Sequence, residues 1–313
     1  MDLNTLRSLL VIAEEQHITR AAERLQMAQP NLTRSIHKLE EELGFTLFDR
    51  SNKHRFALTP AGRAFLDDIT RLLPQYDQAV RNAQRLARGE REQLVIGYVP
   101  AAMVSNLLPL AVQEFERTTS AELILQDLSA SSSKATRKRL SEHRLDALLA
   151  SDFGEEPDFA HERVARASLV IALPHTHPLA QHKALSLAAL AEESWILLPR
   201  HISPSLIDRI MDLYRQAGFT PRIVRRVPHV QAALSLVAAG TGIALVTTWT
   251  AQALQQQGVV YRPLFDGSSQ MDLHLLWRAD NPSSLLQTFL RIVREVSGRQ
   301  ADASKDEIET PHA

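Results

Sequence analysis

Apolar residues in the first part of the chain recur at helical spacing in three short stretches. Leu6, Leu9, Leu10 and Ala13 mark one helix face, and Ala21, Ala22 and Leu25 a second. Leu32, Ile36, Leu39 and Leu43 mark a third. Gln29-Pro30 opens that third helix, because proline at the first helical position gives up an N–H that has no partner there. Gly44 stands where the helix would end with positive φ. Leu47–Arg50 and Arg55–Leu58 are short extended runs around the polar Ser51-Asn52-Lys53-His54, which predicts a β-hairpin. Thr59-Pro60 then repeats a cap-plus-proline helix start. In that long helix Phe65, Leu72, Ala79 and Leu86 recur at every seventh position, with Ile69, Tyr76 and Ala83 between them. This is the seam of a helix that packs on another helix. Pro74 inside it predicts a kink. Gly89-Glu90-Arg91-Glu92 reads as a polar hinge.

From Leu94 the pattern changes to apolar strands alternating with amphipathic helices. Strands are expected at Leu94–Val99, Glu122–Gln126, Leu145–Leu149, Ser168–Leu173, Trp195–Leu198, Arg222–Val227 and Ile243–Val246. Helices fall between them: one to Glu116, one from Lys134, and others near 204–217 and 229–239. This alternation predicts parallel sheets in an α/β region of two lobes. The polar residues from Arg299 to Ala313 read as a tail without regular structure.

Val230 to Tyr261 carries no charge. Its polar residues and Gly240-Thr241-Gly242 argue against a membrane span, which needs about 20 mostly apolar residues, and for a buried helix, a turn and a buried strand. The chain has 313 residues, 44% of them hydrophobic, with 35 Lys+Arg against 36 Asp+Glu, which excludes a disordered or fibrous protein and a uniformly basic nucleic-acid coat. With no cysteine, disulfides and thiolate metal sites are excluded. The start MDLNTLRSLL lacks the basic and apolar regions of a signal peptide, so a cytoplasmic protein is expected.

The short second helix, tight connection and longer third helix form a helix-turn-helix pattern. Off the apolar stripe of the third helix lie Asn31, Thr33, Arg34, His37 and Lys38, types that hydrogen-bond base edges or phosphates. Its first turn, Gln29 and Pro30 to Arg34, is the part expected to enter a major groove. Residues 1–58 hold eight basic and eight acidic side chains, so any attraction to DNA has to be local. Arg20, Arg24, Arg34 and Lys38, followed by Arg50, Lys53, Arg55 and Arg63, could form one basic face, with Glu40-Glu41-Glu42 turned elsewhere.

The runs Ile18–Leu25 (ITRAAERL), Ala28–Arg34 (AQPNLTR), Leu39–Gly44 (LEEELG), Leu47–Arg50 (LFDR) and Leu58–Gly62 (LTPAG) resemble the N-terminal domain of LysR-type transcriptional regulators. Gly97, His177-Pro178-Leu179-Ala180 and Val237–Ile243 resemble that family's effector-binding domain. The resemblance implies a winged helix-turn-helix over 1–59, a dimerising linker helix and hinge over 60–92, and a periplasmic-binding-protein-like sensor over 93–298. Lobe I of the sensor would be 93–163 plus 270–297, lobe II 164–269. The implied protein is a homotetrameric regulator that binds double-stranded promoter DNA and a small-molecule effector, with RNA polymerase as a further partner. His17 stands where the family usually has a small hydroxyl residue, which weakens the expected cap of the second helix. Thr33, where the family usually has serine, keeps the hydroxyl.

An effector between two lobes would meet strand ends and helix N-termini. The candidates are Pro100, Ala101 and Ala102; Ser131, Ser132 and Ser133; Pro199 and Arg200; His229 and Val230; and Thr247. Serine hydroxyls with free amides suit a carboxylate, so a small organic or aromatic acid is expected. His175, His177 and His182 put no clean pair on a helix face, so no metal is expected. No Gly-x-Ser-x-Gly elbow, phosphate loop or dinucleotide fingerprint is present, so neither catalysis nor a cofactor is expected. The alternative is a solute receptor or enzyme built on the α/β part; the lack of a signal peptide pattern opposes a secreted receptor, and the lack of a catalytic constellation opposes an enzyme.

Overall fold

The computed structural model describes residues 2–49, 57–87, 91–129, 131, 133–151, 157–265 and 270–309. The chain forms two compact units, Met1–Glu90 and Arg91–Ala313.

The first unit opens with α1 (Leu3–Glu15), α2 (Ile18–Arg24) and α3 (Gln29–Leu43). Asp2 caps α1, its carboxylate accepting from the Thr5 N–H at 2.8 Å. His17 makes no such bond to α2, as its imidazole in place of a hydroxyl predicts. α2 ends on Gln26 at φ +53, with Met27 N–H donating to Ala22 O and Gln26 N–H to Glu23 O. These are the two bonds of a Schellman turn, and they make the tight connection into α3. α3 ends on Gly44 at φ +76, as the sequence predicts. Strands β1 (Phe48–Asp49) and β2 (Ala57–Leu58) pair antiparallel, and the hairpin tip between them lies outside the described residues. α4 (Pro60–Ala87) follows and runs on through Pro74.

The core of this unit joins Leu9 and Ile12 of α1, Leu32, Ile36 and Leu39 of α3, Leu47 and Phe48 of the hairpin, and Ile69 and Leu73 of α4. Fully burying each such side chain is worth about 1.5–3 kcal/mol. Only part of the seam along α4 is used here. Ile69 and Leu73 are buried, whereas Leu72 and Tyr76 remain 55% and 47% exposed.

The second unit contains β3 (Gln93–Tyr98), α5 (Pro100–Val104), α6 (Leu107–Thr118), β4 (Glu122–Asp127), α7 (Ser133–Ser141), β5 (Ala147–Ala150) and β6 (Phe159–Pro174). It continues with β7 (Ser194–Leu197), α8 (Pro204–Gln216), β8 (Arg222–Arg226), α9 (Val230–Ala238) and β9 (Ala244–Thr247). It closes with α10 (Thr248–Ala253), β10 (Val259–Pro263), β11 (Gln270–Arg278) and α11 (Ser284–Glu309). β3 pairs parallel with β4 and β5, and β7 with β8, as the alternating pattern predicts. The all-parallel expectation is corrected at β6 and β11. These strands pair antiparallel with each other, β11 also with β5, and β6 also with β9 and β10.

β6 is the reason. It is one 16-residue strand rather than the short Ser168–Leu173 segment. Its first part, Phe159–Ser168, pairs with β11, and its remainder, Leu169–Pro174, pairs with β9 and β10. A strand that passes from one lobe to the other serves two sheets, and its return strand β11 runs back alongside it. The change of partner falls at Ser168/Leu169. Arg166 and Asp272 stand opposite each other on this pair, joined by hydrogen bonds of 2.5 and 2.7 Å.

Lobe I packs α6 and α11 on its sheet, with Phe115 edge-on to Phe289. Lobe II packs α8 on one face of its sheet, where Trp195 meets Tyr214 at 4.8 Å between ring centres, and α9 on the other. The single helix expected before Glu116 is broken at Asn106, which adopts φ +60. The uncharged stretch from Val230 gives a helix, a turn at Gly240 (φ +74) and a buried strand, as expected. α11 continues to Glu309, past the Gly298 where the sequence ends it, because Ala and Gln among residues 299–303 favour helix. Among the described residues no helix is long and apolar enough to cross a membrane.

Candidate functional site

The first candidate surface is α3. Its Leu32, Ile36 and Leu39 are at most 2% exposed and fix which side faces out. Gln29, Pro30, Asn31, Arg34 and Lys38 are exposed, and Thr33 and His37 are half-buried. Arg34 and Lys38 lie one turn apart, and with the exposed Arg20 of α2 they make no ion pair among the described residues. Thr33 donates to Gln29 O at 3.0 Å, which leaves the hydroxyl oxygen able to accept. Thr19 donates to the Gln29 side chain at 3.4 Å and so joins α2 to the start of α3.

Two parts of the expected basic face change. Arg24 is engaged by Glu14 and Glu15 at 2.8 and 2.9 Å, so its charge is spent locally. Glu40 is not turned outward with Glu41 and Glu42. It is 7% exposed and accepts the N–H groups of Leu47 and Phe48. Arg50, Lys53 and Arg55 lie outside the described residues. The base of the hairpin is tied to α4 by Thr59, which donates to Thr46 O at 2.7 Å and accepts from Gly62 N–H at 2.9 Å. A Cβ on Gly62 would stand 2.1 Å from Leu47 O, so glycine is required there.

The second candidate is a cavity of about 540 Å³ between the lobes of the second unit, in the size range of small-molecule sites. Pro100, Ala101, Ser131, His229, Val230 and Thr247 line it. Three other candidates do not. Ala102 is fully buried in the lobe I core, because α5 turns it inward. Pro199 lies beside the lining residue Leu198 without lining the cavity. Arg200 is exposed and held by Asp208 through two 2.6 Å bonds, which keep the Asp208 carboxyl below its ordinary value. Ser132 lies outside the described residues, and of Ser133 only the backbone, at the start of α7, is described.

Sequence reasoning missed several lining residues, among them Thr136, Ser203, Ser205, Trp249, Thr250 and Met271. Ser203-Pro204 carries the same cap-plus-proline signature as Thr59-Pro60 and could have been found. Trp249 and Met271 are brought in only by the packing of α10 and β11. Two helices begin at the cavity, α8 after Ser203 and α9 after His229, and neither capping residue uses its side chain to cap. Their first-turn amides therefore lack side-chain caps. Thr247 does cap α10, accepting from Thr250 N–H at 3.2 Å.

Among the described residues no group of three or more His, Asp or Glu side chains is placed to hold a metal ion. His177 meets Glu193 at 3.4 Å and accepts from Leu179 N–H, and His175 lies 3.3 Å from Gly258 O.

Residues 3–63 match the family described as bacterial regulatory helix-turn-helix protein, lysR family, and residues 87–298 match the LysR substrate binding domain. The chain is 31% identical over 305 residues to the HTH-type transcriptional regulator AlsR of Bacillus subtilis, covering 97% of this chain and 99% of that one. It is similar to full-length CbnR solved in complex with its target DNA, at 26% identity and TM-score 0.58, covering 95% and 100% of the two chains. It is also similar to the effector binding domain of BenM with its effector benzoate, at 26% identity and TM-score 0.61, covering 67% and 94%. BenM is a transcriptional regulator of Acinetobacter baylyi.

Proposed function

Because this chain belongs to the LysR family of bacterial transcriptional regulators, we propose that it reads promoter DNA with the outward side of α3 and responds to a small organic or aromatic acid held between the lobes of its second unit. The observation that carries the DNA half is the division of α3: Leu32, Ile36 and Leu39 are buried, while Arg34 and Lys38 stand exposed without ion-pair partners among the described residues. Arg34 and Asn31 suit base edges, while Arg20, Lys38 and the hairpin bases Arg50, Lys53 and Arg55 suit phosphates. Thr33 and His37 complete the face. CbnR, similar over nearly the whole chain, was solved on DNA.

The ligand half is supported by the 540 Å³ cavity and by the similarity to a domain that binds benzoate. A ligand that contacts both lobes would favour their closed arrangement and so shift the regulator between states. The exposed Leu72 and Tyr76 of α4 support a dimer through this helix, and two such dimers would form the tetramer.

A footprint on DNA upstream of the gene tests the reading. The parent protein should protect a defined site, and Arg34→Ala should lose that protection while keeping its far-ultraviolet spectrum and melting temperature. Equal protection by Arg34→Ala would mean that α3 does not read the site.

A further inference from the structure

Thr33, Thr70, Thr118 and Thr288 each donate to the carbonyl four residues back in their own helix, at 2.8–3.0 Å. That is the ordinary use of a helical threonine hydroxyl. Thr19 departs from it. It is the second residue of α2, so the residue four back, Glu15, belongs to α1. Its hydroxyl donates instead to Gln29 Oε1 at 3.4 Å, on the first residue of α3. Neither side chain makes another hydrogen bond among the described residues, and both are exposed. The two ends of this link differ in stiffness. A β-branched side chain in a helix has a restricted χ1. α2 itself is held by Ala21 and Ala22, buried in the same core as Leu32 and Ile36 of α3. The turn at Gln26 fixes the approach of one helix to the other. Gln29 has three side-chain torsions, and Ala28 before it has no side chain to cap α3. Thr19 therefore presents a placed donor to a flexible amide.

We propose that Thr19 is a positioning residue for DNA readout, which holds the Gln29 amide in one orientation toward a base edge. This inference rests on the proposed reading of DNA by α3. An unheld Gln29 would have to be ordered at the moment of binding and could turn either end of its amide to the base. With Oε1 accepting from Thr19, one carbonyl lone pair and both amide hydrogens remain. That leaves an acceptor and a donor side by side, the set that pairs with the N6 and N7 edge of adenine. Thr19 supplies orientation and no charge, so its effect falls on the discrimination between sites rather than on the attraction to phosphates.

The test is selection of binding sites by the full chain from a randomised operator, followed by affinity measurements on the single-base variants of the selected site. Gln29→Ala is expected to flatten the preference at one operator position by at least about tenfold. Thr19→Val, which keeps the shape and loses the hydroxyl, should weaken the preference at that same position by about threefold to tenfold. Thr19→Ser, which keeps the hydroxyl, should retain most of it. The double variant Thr19→Val/Gln29→Ala should be no flatter there than Gln29→Ala alone, because one residue acts through the other. An unaltered preference in Thr19→Val, or a change at a position that Gln29→Ala leaves alone, would overturn the assignment. An equal loss of affinity for every site would overturn it too, since a phosphate contact or a merely structural link gives that result. A parent chain that selects no site would overturn the reading of DNA by α3 as well. A parent that selects a site which Arg34→Ala loses, with Thr19→Val still like the parent, would overturn the role of Thr19 alone.

Discussion

Glu40 Oε1 accepts the Leu47 N–H at 2.7 Å. The same oxygen takes the Phe48 N–H at 3.3 Å, so the last turn of α3 is tied to the first strand of the hairpin. Both residues are buried, so the loss of this acceptor is costly. This bond fixes the start of the hairpin against the C-terminal part of α3. Glu40→Ala should destabilise the first unit by about 2 kcal/mol, since it removes a buried carboxylate that accepts the Leu47 and Phe48 N–H groups. Glu40→Gln keeps an acceptor oxygen and should cost less than half as much. Urea unfolding followed by circular dichroism measures both, and equal losses in the two variants would show that the acceptor is not what matters.

Gly62 provides a second anchor for the same hairpin. A methyl group there meets Leu47 O at 2.1 Å, a backbone atom that cannot swing away. Gly62→Ala should cost about 1–3 kcal/mol in the unfolding free energy. A melting temperature equal to the parent's would mean that the approach is looser than described.

Arg24 and Arg34 carry equal charge but differ in company. Arg24 is neutralised by Glu14 and Glu15, whereas Arg34 has no ion-pair partner among the described residues. In DNA titrations over a range of salt, Lys38→Ala should lower the slope of log K against log salt by about 1, whereas Arg34→Ala should chiefly lower the preference for the specific site over unrelated DNA. Arg24→Ala should leave the slope unchanged. A fall in slope for Arg24→Ala would place that side chain on the phosphates after all.

Leu72 and Leu73 are neighbours on α4 with opposite environments, 55% and 5% exposed. Leu73→Ala removes a core side chain and should cost about 2–4 kcal/mol. Leu72→Glu should leave the stability of the monomer nearly unchanged and should lower the assembly state in sedimentation. Retention of the parent's sedimentation coefficient would exclude this side of α4 from the interface.

Asp272 on β11 is held below its ordinary pKa, first by the hydrogen bonds from Arg166 on β6 and then by that charge and Arg163. Its folded value lies under the unfolded one, about 3.9. The stabilisation is therefore complete above that value and is lost as pH falls through the lower folded value. Asp272→Asn should unfold at lower urea than the parent at pH 7, and the gap should close under strongly acidic conditions. A gap independent of pH would remove charge from the explanation.

The lining of the cavity separates what local sequence reveals from what it does not. Ser131, His229, Val230 and Thr247 could be proposed from their places at strand and helix ends, and all four line the cavity. Ser203-Pro204 carries a readable cap-plus-proline signal. Arg200 does not line the cavity and is held by Asp208 on the next helix, and a paired cation looks the same in sequence as a free one. Trp249 and Met271 gave no local signal at all.

The sequence by itself determined what depends on neighbours a few residues apart. The three N-terminal helices, the Gly44 stop, the hairpin strands, the start of α4 and the outward side of α3 all follow from spacing, caps and φ preferences. Contacts between distant residues were decided only by the tertiary structure. These include the inward turn of Glu40 within an acidic run, the quenching of Arg24, the passage of β6 between two sheets, and the meeting of Ser203, Thr136, Trp249 and Met271 around one cavity. Local periodicity reports which side of an element is buried. Which partner it is buried against depends on how the whole chain packs, and no window of the sequence contains that.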